Sequence, residues 1–218
     1  LPPSSSRPPS LRGDSRHAPT ARRALELAPH SIRGEKMTEE AHPLAYPWTF
    51  TYFKKVANKS YEENTFTLGT TGTVEDFWRL YVHLRRPVDE RPTVCDYHVF
   101  REGIRPMWED EANVNGGKWI VRLKKGLAAR YWEDILLAIL GGQFRVGDEI
   151  CGCVLSVRYQ EDILSIWNRS ADSRRVCMQI RDTMRSVMSL PDNANMEYKK
   201  HTDSMRDNSS YRNTNSNF

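Results

Sequence analysis

The sequence predicts a single α+β domain in which an antiparallel β-sheet carries three helices on one face. Short segments with apolar or aromatic residues at every second position indicate strands, and polar turns join several of them as hairpins. Three longer segments repeat apolar residues at helical spacing. Because hairpins build antiparallel sheets and the helices cover one face, the other face is left free for a ligand.

Composition divides the chain into a polar leader and an aromatic-rich domain. Residues 1–41 hold six of the 12 prolines and no aromatic residue, so we expect a disordered leader that has nothing to bury. We expect the domain to span 42–200 and a loose, Asn- and Ser-rich tail to span 201–218. The first methionine is Met37, and we expect the functional start near it.

The first elements of the domain are two strands and a helix. Trp48, Phe50 and Tyr52 alternate along the first strand, and residues 64–70 form the second. Thr73 is a good N-cap, and the two acidic residues after Val74 suit the first turn of a helix that ends before Pro87.

Strands and helices continue to the end of the predicted domain. In order, they are a strand at 96–100, a strand at 118–124, a helix at 127–140, a strand pair at 150–159 and 162–167, a helix at 172–188 and a strand at 195–198. The pair Gly141-Gly142 ends the second helix.

Charge and cysteine content limit the classes of function. The net charge of +4 allows an anionic ligand without requiring one, and it argues against the wrapping of long nucleic acid. The four cysteines are too few for a disulfide framework, and Cys151-Gly152-Cys153 is too tight for a zinc knuckle. We therefore predict buried free thiols and a reducing compartment, the cytosol or the nucleus.

The sequence gives no sign of a membrane span or a catalytic centre. The longest apolar run, Ile135–Leu140, has six residues, whereas a membrane helix needs about 20. Nucleophile-elbow, phosphate-loop, dinucleotide and zinc-protease motifs are missing. The acidic run Glu109–Glu111 would splay apart in a loop, and Cys95 with His98 lacks an orienting third group. We expect neither an enzyme, nor a metal, nor a cofactor.

Two aromatic residues stand in polar loops. Tyr61 follows Lys59-Ser60, and Trp108 lies within the run from Arg105 to Glu111. Such rings either contact a ligand or tuck into the rim of the core, and the loops alone leave both readings open.

The run Gly103-Ile-Arg-Pro-Met-Trp-Glu-Asp110 resembles a signature of the messenger-RNA cap-binding initiation factor 4E family. The resemblance covers roughly residues 42–200. It includes His42-Pro43-Leu44, Thr73–Trp78, Gly116–Trp119, Ile150–Gly152, Ser156–Arg158 and Ile166-Trp167. Ser60–Glu62, Met196–Lys199 and Asp207–Arg212 resemble the 4E-homologous branch, called novel cap-binding protein in plants.

The resemblance implies a strongly curved antiparallel sheet with three helices on its convex face and a ligand slot on its concave face. The slot would hold the 7-methylguanosine cap, whose methylated base is cationic. The implied cap-binding residues are Tyr61 and Trp108 (stacking), Glu109 (base N–H groups), Arg158 (phosphates), Lys118 (a secondary basic position) and Trp167 (near the N7-methyl). Asp110 is expected to hold the loop.

Several positions qualify that cap site. Tyr52 and Trp48 compete with Tyr61 as the second stacking ring, although strand periodicity favours core packing for both. Gln160 and Ile163 stand where lysines assist phosphate binding in the major isoform, which predicts weaker triphosphate binding.

The resemblance also implies a partner surface on the convex face. There, His42, Pro43, Val74, Trp78 and Leu137 would receive a Tyr-x4-Leu-Φ helix of a scaffold or repressor protein. Glu133-Asp134 replaces the Leu-Glu pair of the major isoform, which bears on partner choice.

The resulting expectation is a cytoplasmic, monomeric protein that binds capped messenger RNA (probed as 7-methyl-GTP) and regulates translation initiation by recruiting partners. One alternative is a repressor that competes with the major isoform. Others are an interaction module with weak cap affinity and, in another class, a cap-processing enzyme.

Overall fold

The computed structural model describes residues 41–87 and 94–215. The predicted leader, apart from Ala41, lies outside the described residues and stays a prediction.

Seven strands form one sheet in which every neighbouring pair is antiparallel. The strands are β1 (Pro43–Phe53), β2 (Thr65–Thr73), β3 (Cys95–Arg101), β4 (Gly117–Lys124), β5 (Ile150–Val157), β6 (Glu161–Asn168) and β7 (Glu197–Lys200). Their order across the sheet is β2-β1-β3-β5-β6-β4-β7. The predicted α+β class with an antiparallel sheet is confirmed.

Three of the described helices are the expected ones. They are α1 (Val74–Tyr81), α2 (Ala128–Leu140) and α3 (Arg174–Val187), and a short 3₁₀ turn spans Glu62–Asn64. The Thr73 hydroxyl accepts a hydrogen bond from the Asp76 amide at 3.0 Å, so the predicted N-cap of α1 is confirmed.

The three helices share the main hydrophobic core with one face of the sheet. Phe77 of α1, Ile135 of α2 and Ile180 of α3 belong to a single buried cluster with Val99 and Leu164. Burial of each such side chain contributes about 1.5–3 kcal/mol. This core packs the three helices against the convex face of the sheet and stabilises it.

A smaller apolar cluster lies on the opposite, concave face. Phe100, Cys151, Val154 and Trp167 form it, with Trp108 packed against them. Successive residues of a strand point to opposite faces, so neighbours along one strand can belong to different clusters. The aromatic side chains of this second cluster give the concave face flat apolar surfaces that suit a planar ligand.

The expectation of a loose tail from residue 201 is wrong for the described part, which contains a fourth helix, α4 (His201–Asp207). The buried ammonium of Lys199 donates hydrogen bonds to the Asp207 carboxylate at 2.7 Å, to the Ser209 carbonyl at 3.0 Å and to the Arg212 carbonyl. Asn215 forms a backbone bridge with Tyr198. Polar composition predicted disorder, but these long-range bonds satisfy the polar groups of the segment.

All four cysteines are buried and free, as the sequence predicted. None of the described helices combines the length and the apolar character that a membrane crossing requires. Within residues 41–87 and 94–215, no cluster of three His, Cys, Asp or Glu side chains is arranged to hold a metal ion.

Candidate functional site

A cavity of about 460 Å³ opens on the concave face of the sheet. Its walls come from the loops around Tyr61 and Trp108, from β3, β5 and β6, and from the segment after α4. Of the six predicted cap-binding residues, the structure brings five to this cavity: Tyr61, Trp108, Glu109, Arg158 and Trp167. The sixth, Lys118, does not line it.

Tyr61 lines the cavity. One face of its ring stacks on Phe53, with ring centroids 4.8 Å apart and planes 25° apart. The Tyr61 hydroxyl donates a hydrogen bond to the Pro106 carbonyl at 3.1 Å, and burial raises the pKa of this hydroxyl above its ordinary value. The ring is therefore held by two contacts, one of them to the loop that carries Trp108.

The loop that carries Trp108 and Glu109 is braced by its neighbours. The Asp110 carboxylate accepts hydrogen bonds from the amides of Arg105 at 3.2 Å and Ala112 at 3.1 Å. The Asn113 side chain donates to the carbonyls of Arg105 and Met107 at 2.9 and 2.8 Å. The expected loop-holding contribution of Asp110 is visible in these contacts.

Glu109 is the acid of this loop that lines the cavity and remains available to a ligand. Its side chain is exposed at the cavity, and no hydrogen bond or ion pair to the carboxylate is found within the described part of the chain. A carboxylate without an internal partner can accept two N–H bonds from a ligand at low cost.

Trp167 and His98 form the floor of the cavity. Trp167 packs edge-on against Phe100, with centroids 5.3 Å apart. His98 is buried, which lowers its pKa to about 4, and its Nδ1 lies 3.1 Å from the Thr51 hydroxyl. The imidazole is neutral near pH 7 and therefore does not repel a cationic base.

Arg158 lines the cavity beside an acidic residue. Its guanidinium donates to the carbonyls of Cys95 and Val157 at 3.0 and 2.9 Å, and it lies 2.8 Å from an Asp96 carboxylate oxygen. These bonds orient the guanidinium, but Asp96 offsets part of its charge toward an anionic ligand.

Lys118 is fully buried beneath the cavity. Its ammonium lies 4.9 Å from the Tyr211 ring centroid, 5.0 Å from that of Trp167 and 5.9 Å from that of Trp108. It has no hydrogen-bond acceptor among the residues described. Burial, together with the neighbouring Lys199, lowers the pKa of Lys118 to about 7. Because Lys118 is fully buried, direct contact with phosphates would require the side chains around it to move.

We expect Lys118→Met to raise the free energy of unfolding by about 1–3 kcal/mol at pH 6–7, because it removes a buried ammonium without a hydrogen-bond partner. Between pH 7 and about 10, native Lys118 sheds its proton while the unfolded chain keeps it, so wild-type stability rises with pH. The advantage of the variant should therefore shrink over that range in chemical unfolding experiments.

The matched control is Lys199→Met, at the position paired with Lys118 across β4 and β7. Since Lys199 has three partners, its loss should destabilise the protein. A lower free energy of unfolding for Lys118→Met than for wild type at every pH would contradict this prediction. It would mean that the attraction between the ammonium and the three rings exceeds the cost of burying the charge.

The sequence interpretation missed several cavity residues, among them Asp96, His98, Ser156 and Tyr211. Strand alternation could have found three of them, because Asp96 and His98 share the parity of Phe100 on β3, and Ser156 shares that of Val154 on β5. Nothing local predicts Tyr211, whose hydroxyl meets Ser156 Oγ at 2.5 Å.

The two rival stacking rings belong to the core. Trp48 is 3% exposed, and Tyr52 packs edge-on against Tyr97 with centroids 5.2 Å apart. Neither lines the cavity beside Trp108. The interpretation of both as packing residues is confirmed.

Gln160 and Ile163, which stand where the major isoform has lysines, differ in burial. Ile163 is 3% exposed, and its cross-strand neighbours Ser156 and Arg122 both bond to Tyr211, at 2.5 and 2.9 Å. The segment around Tyr211 therefore crosses the sheet at Ile163. Gln160 is exposed in the turn before β6.

A second cavity, of about 410 Å³, lies on the helix side of the molecule. Pro43, Val74, Trp78 and Leu137 line it, and the last three are 39%, 42% and 38% exposed. We call this cavity the Trp78 groove. Large exposed apolar side chains gathered along a groove are typical of a docking surface.

Two predicted features of that surface take other positions. His42 is not among the residues that line the groove; its Nδ1 lies 2.7 Å from the Glu75 carboxylate, which ties the start of β1 to α1. Glu133 accepts a hydrogen bond from the Tyr81 hydroxyl at 3.0 Å, and Asp134 lies 3.8 Å from Arg130. Neither acid lines the groove.

The fold and the two cavities together define a class of protein with one antiparallel sheet, an aromatic cavity on its concave face and an apolar groove on its helical face. The chain belongs to the eukaryotic initiation factor 4E family, whose sequence model matches residues 43–216.

Named relatives place the chain within that family. It is 51% identical over 180 residues to eukaryotic translation initiation factor 4E-4 of Caenorhabditis elegans, covering 81% of this chain and 84% of the relative. It is 48% identical over 185 residues to eukaryotic translation initiation factor NCBP of Arabidopsis thaliana, covering 84% and 83%. These relatives support the 4E-homologous branch.

Solved structures agree with the fold. A complex of C. elegans eIF4E-3 with the 4E-binding protein Mextli and a cap analog matches with a TM-score of 0.73 and 40% identity, covering 76% of this chain and 96% of that one. Ascaris suum eIF4E-3 with the m7G cap matches with a TM-score of 0.70 and 38% identity, covering 76% and 94%.

Proposed function

We propose that this protein binds the 7-methylguanosine cap of messenger RNA in the cytoplasm and regulates translation initiation by bringing partner proteins to capped messages. Family membership supports this, as do relatives whose structures contain cap analogs and the 4E-binding protein Mextli. The observation that carries the proposal is the pairing of the Trp108 ring with the free Glu109 carboxylate at one cavity.

Stacking explains the selection of a methylated base. Methylation at N7 gives the guanine ring a positive charge, and a cation between electron-rich rings gains both stacking and cation–π attraction. Trp108 and Tyr61, which both line the cavity, supply those rings. Tyr has less π surface than Trp, so we expect a lower affinity for the methylated base than a pair of Trp rings would give.

Hydrogen bonding explains the selection of guanine. The Glu109 carboxylate accepts from N1–H and the exocyclic amine of the base, and its backbone N–H serves the base carbonyl. Adenine lacks the paired donors. Because the carboxylate faces a cationic ring, both bonds are charge-assisted.

Phosphate binding is the weaker half of the site. Arg158 is a half-buried cation that lines the cavity, and its guanidinium lies 2.8 Å from the Asp96 carboxylate. The Lys118 ammonium lies beneath the Tyr211 ring, so it attracts the phosphates through space and does not contact them. We propose that base recognition contributes more of the affinity than the triphosphate does.

Partner recruitment uses the Trp78 groove, which we propose receives a Tyr-x4-Leu-Φ helix. The exposed Trp78, Val74 and Leu137 supply its apolar contacts. Whether the partner activates or represses decides the role of the complex. A repressor that competes with the major isoform is the second candidate, favoured by the modest phosphate site.

Glu109→Gln tests the base-recognition half of the proposal. Hydrogen bonds to charged groups contribute about 1.5–3 kcal/mol, so the affinity for 7-methyl-GTP should fall by more than about tenfold in a fluorescence titration at fixed salt. Glu111→Gln, an exposed acid that does not line the cavity, is the matched control and should bind as wild type does. Unchanged affinity of Glu109→Gln would remove this carboxylate from the site.

A further inference from the structure

A third cavity, of about 240 Å³, adjoins the Trp78 groove on the helix side of the sheet. We call it the Arg101 cleft. Ala45, Leu140 and Gly142 line both cavities, so one continuous surface leads from the groove into the cleft. No functional assignment made above uses this cleft.

The cleft contains a buried guanidinium with unused hydrogen-bonding capacity. Arg101 is 8% exposed and stacks on Tyr46, with its Cζ 3.6 Å from the ring centroid. One Nη donates to the Gly147 carbonyl at 3.0 Å. Its Nε is buried and has no acceptor in the described part of the chain. A buried donor without an acceptor is costly, so a ligand that supplies one gains affinity.

The charge of the cleft is unbalanced. Arg145 is a second guanidinium in its wall, and no carboxylate is among the residues that line it. The acids that follow in sequence are turned to other groups: Asp148 lies 3.8 Å from Arg169, and Glu149 accepts from the Ser170 hydroxyl at 3.0 Å. Two guanidiniums in an otherwise apolar cleft favour an acidic side chain accompanied by an apolar one.

We propose that the Arg101 cleft binds an acidic residue, next to an apolar one, on the chain segment continuous with the partner helix in the Trp78 groove. The continuity of the two cavities supports this occupant, since a few extended residues can pass from one into the other. The inference rests on the proposed partner surface and adds a second, charge-selective anchor to it. Partners with the acidic residue would be preferred over those with the helix alone.

The test uses three synthetic peptides that share one Tyr-x4-Leu-Φ helix. One ends at the helix, and the other two carry a Gly-Ser spacer with Asp-Leu, either before or after the helix. Binding to the full chain is measured by isothermal titration. We expect one extended peptide to bind about tenfold more tightly than the bare helix, and the gain to vanish when its Asp is replaced by Asn.

Protein variants supply the matched controls. Arg101→Gln should abolish the gain and leave the bare-helix affinity unchanged, and exposed Arg145→Gln should reduce the gain without disturbing the fold. A gain that persists in Arg101→Gln or in the Asn peptide, or no gain from either extension, overturns the inference alone. If the bare helix itself fails to bind wild type, the partner surface and this inference fall together. Should Arg101→Gln not fold, the Asn peptide and Arg145→Gln still decide.

Discussion

Trp108→Ala should lower the affinity for 7-methyl-GTP by about fivefold to 150-fold, because base–aromatic stacking contributes roughly 1–3 kcal/mol. The loss should be larger for the methylated ligand than for GTP, since the ring interacts most strongly with a cation. A fluorescence titration of both ligands at one salt concentration measures the two effects together.

Tyr61 provides the companion series. Tyr61→Ala should lose a similar amount, whereas Tyr61→Trp should keep or increase the affinity because of its larger π face. Tyr61→Phe retains the ring and removes only the hydroxyl, which donates to the Pro106 carbonyl, so it serves as the control for loop position. If Tyr61→Ala binds the methylated ligand as well as wild type does, Tyr61 is a rim residue.

Trp78→Ala should abolish measurable binding of a Tyr-x4-Leu-Φ peptide while leaving affinity for 7-methyl-GTP unchanged. A central Trp of an interface commonly contributes about 2–4 kcal/mol, which corresponds to roughly 30-fold to 1,000-fold. Cap binding should survive because the groove and the concave cavity lie on opposite faces of the sheet. Isothermal titration with peptide and with nucleotide tests both halves.

The control for that variant is Val82→Ala, at an exposed position just after α1 that does not line the groove. It should bind peptide and nucleotide as wild type does. Loss of both ligands in Trp78→Ala, with circular dichroism of a folded protein, would contradict the separation of the two surfaces.

Strand and helix positions were predictable because they depend on local pattern. Alternation located the strands, and Thr73 located the start of α1 through its own hydrogen bond. The extension of β1 back to Pro43 was not visible, because that part is held by pairing with Thr73 rather than by alternation. Register across a sheet is a long-range property that one strand does not reveal.

The cavity was predictable where motif residues line it and unpredictable where the tail does. The resemblance implied a basic position at Lys118, but it did not reveal that this ammonium is buried beside the ring of Tyr211, more than ninety residues away in sequence. Likewise, Lys199 holds residues 201–215 through one group at the end of α4, Asp207, and two groups beyond it, the Ser209 and Arg212 carbonyls. Composition indicates that the segment is polar, but it does not indicate which partners will form hydrogen bonds with its polar groups.

We propose that the concave cavity selects a cationic, N7-methylated guanine. Equilibrium titration of the wild-type chain with 7-methyl-GTP and with GTP, under identical salt, tests it most directly. Both ligands carry the same phosphates, so the phosphate contribution through Arg158 cancels in the ratio. We expect saturable binding with a preference of about tenfold or more for the methylated ligand. Equal affinities, or no binding of 7-methyl-GTP, would contradict it.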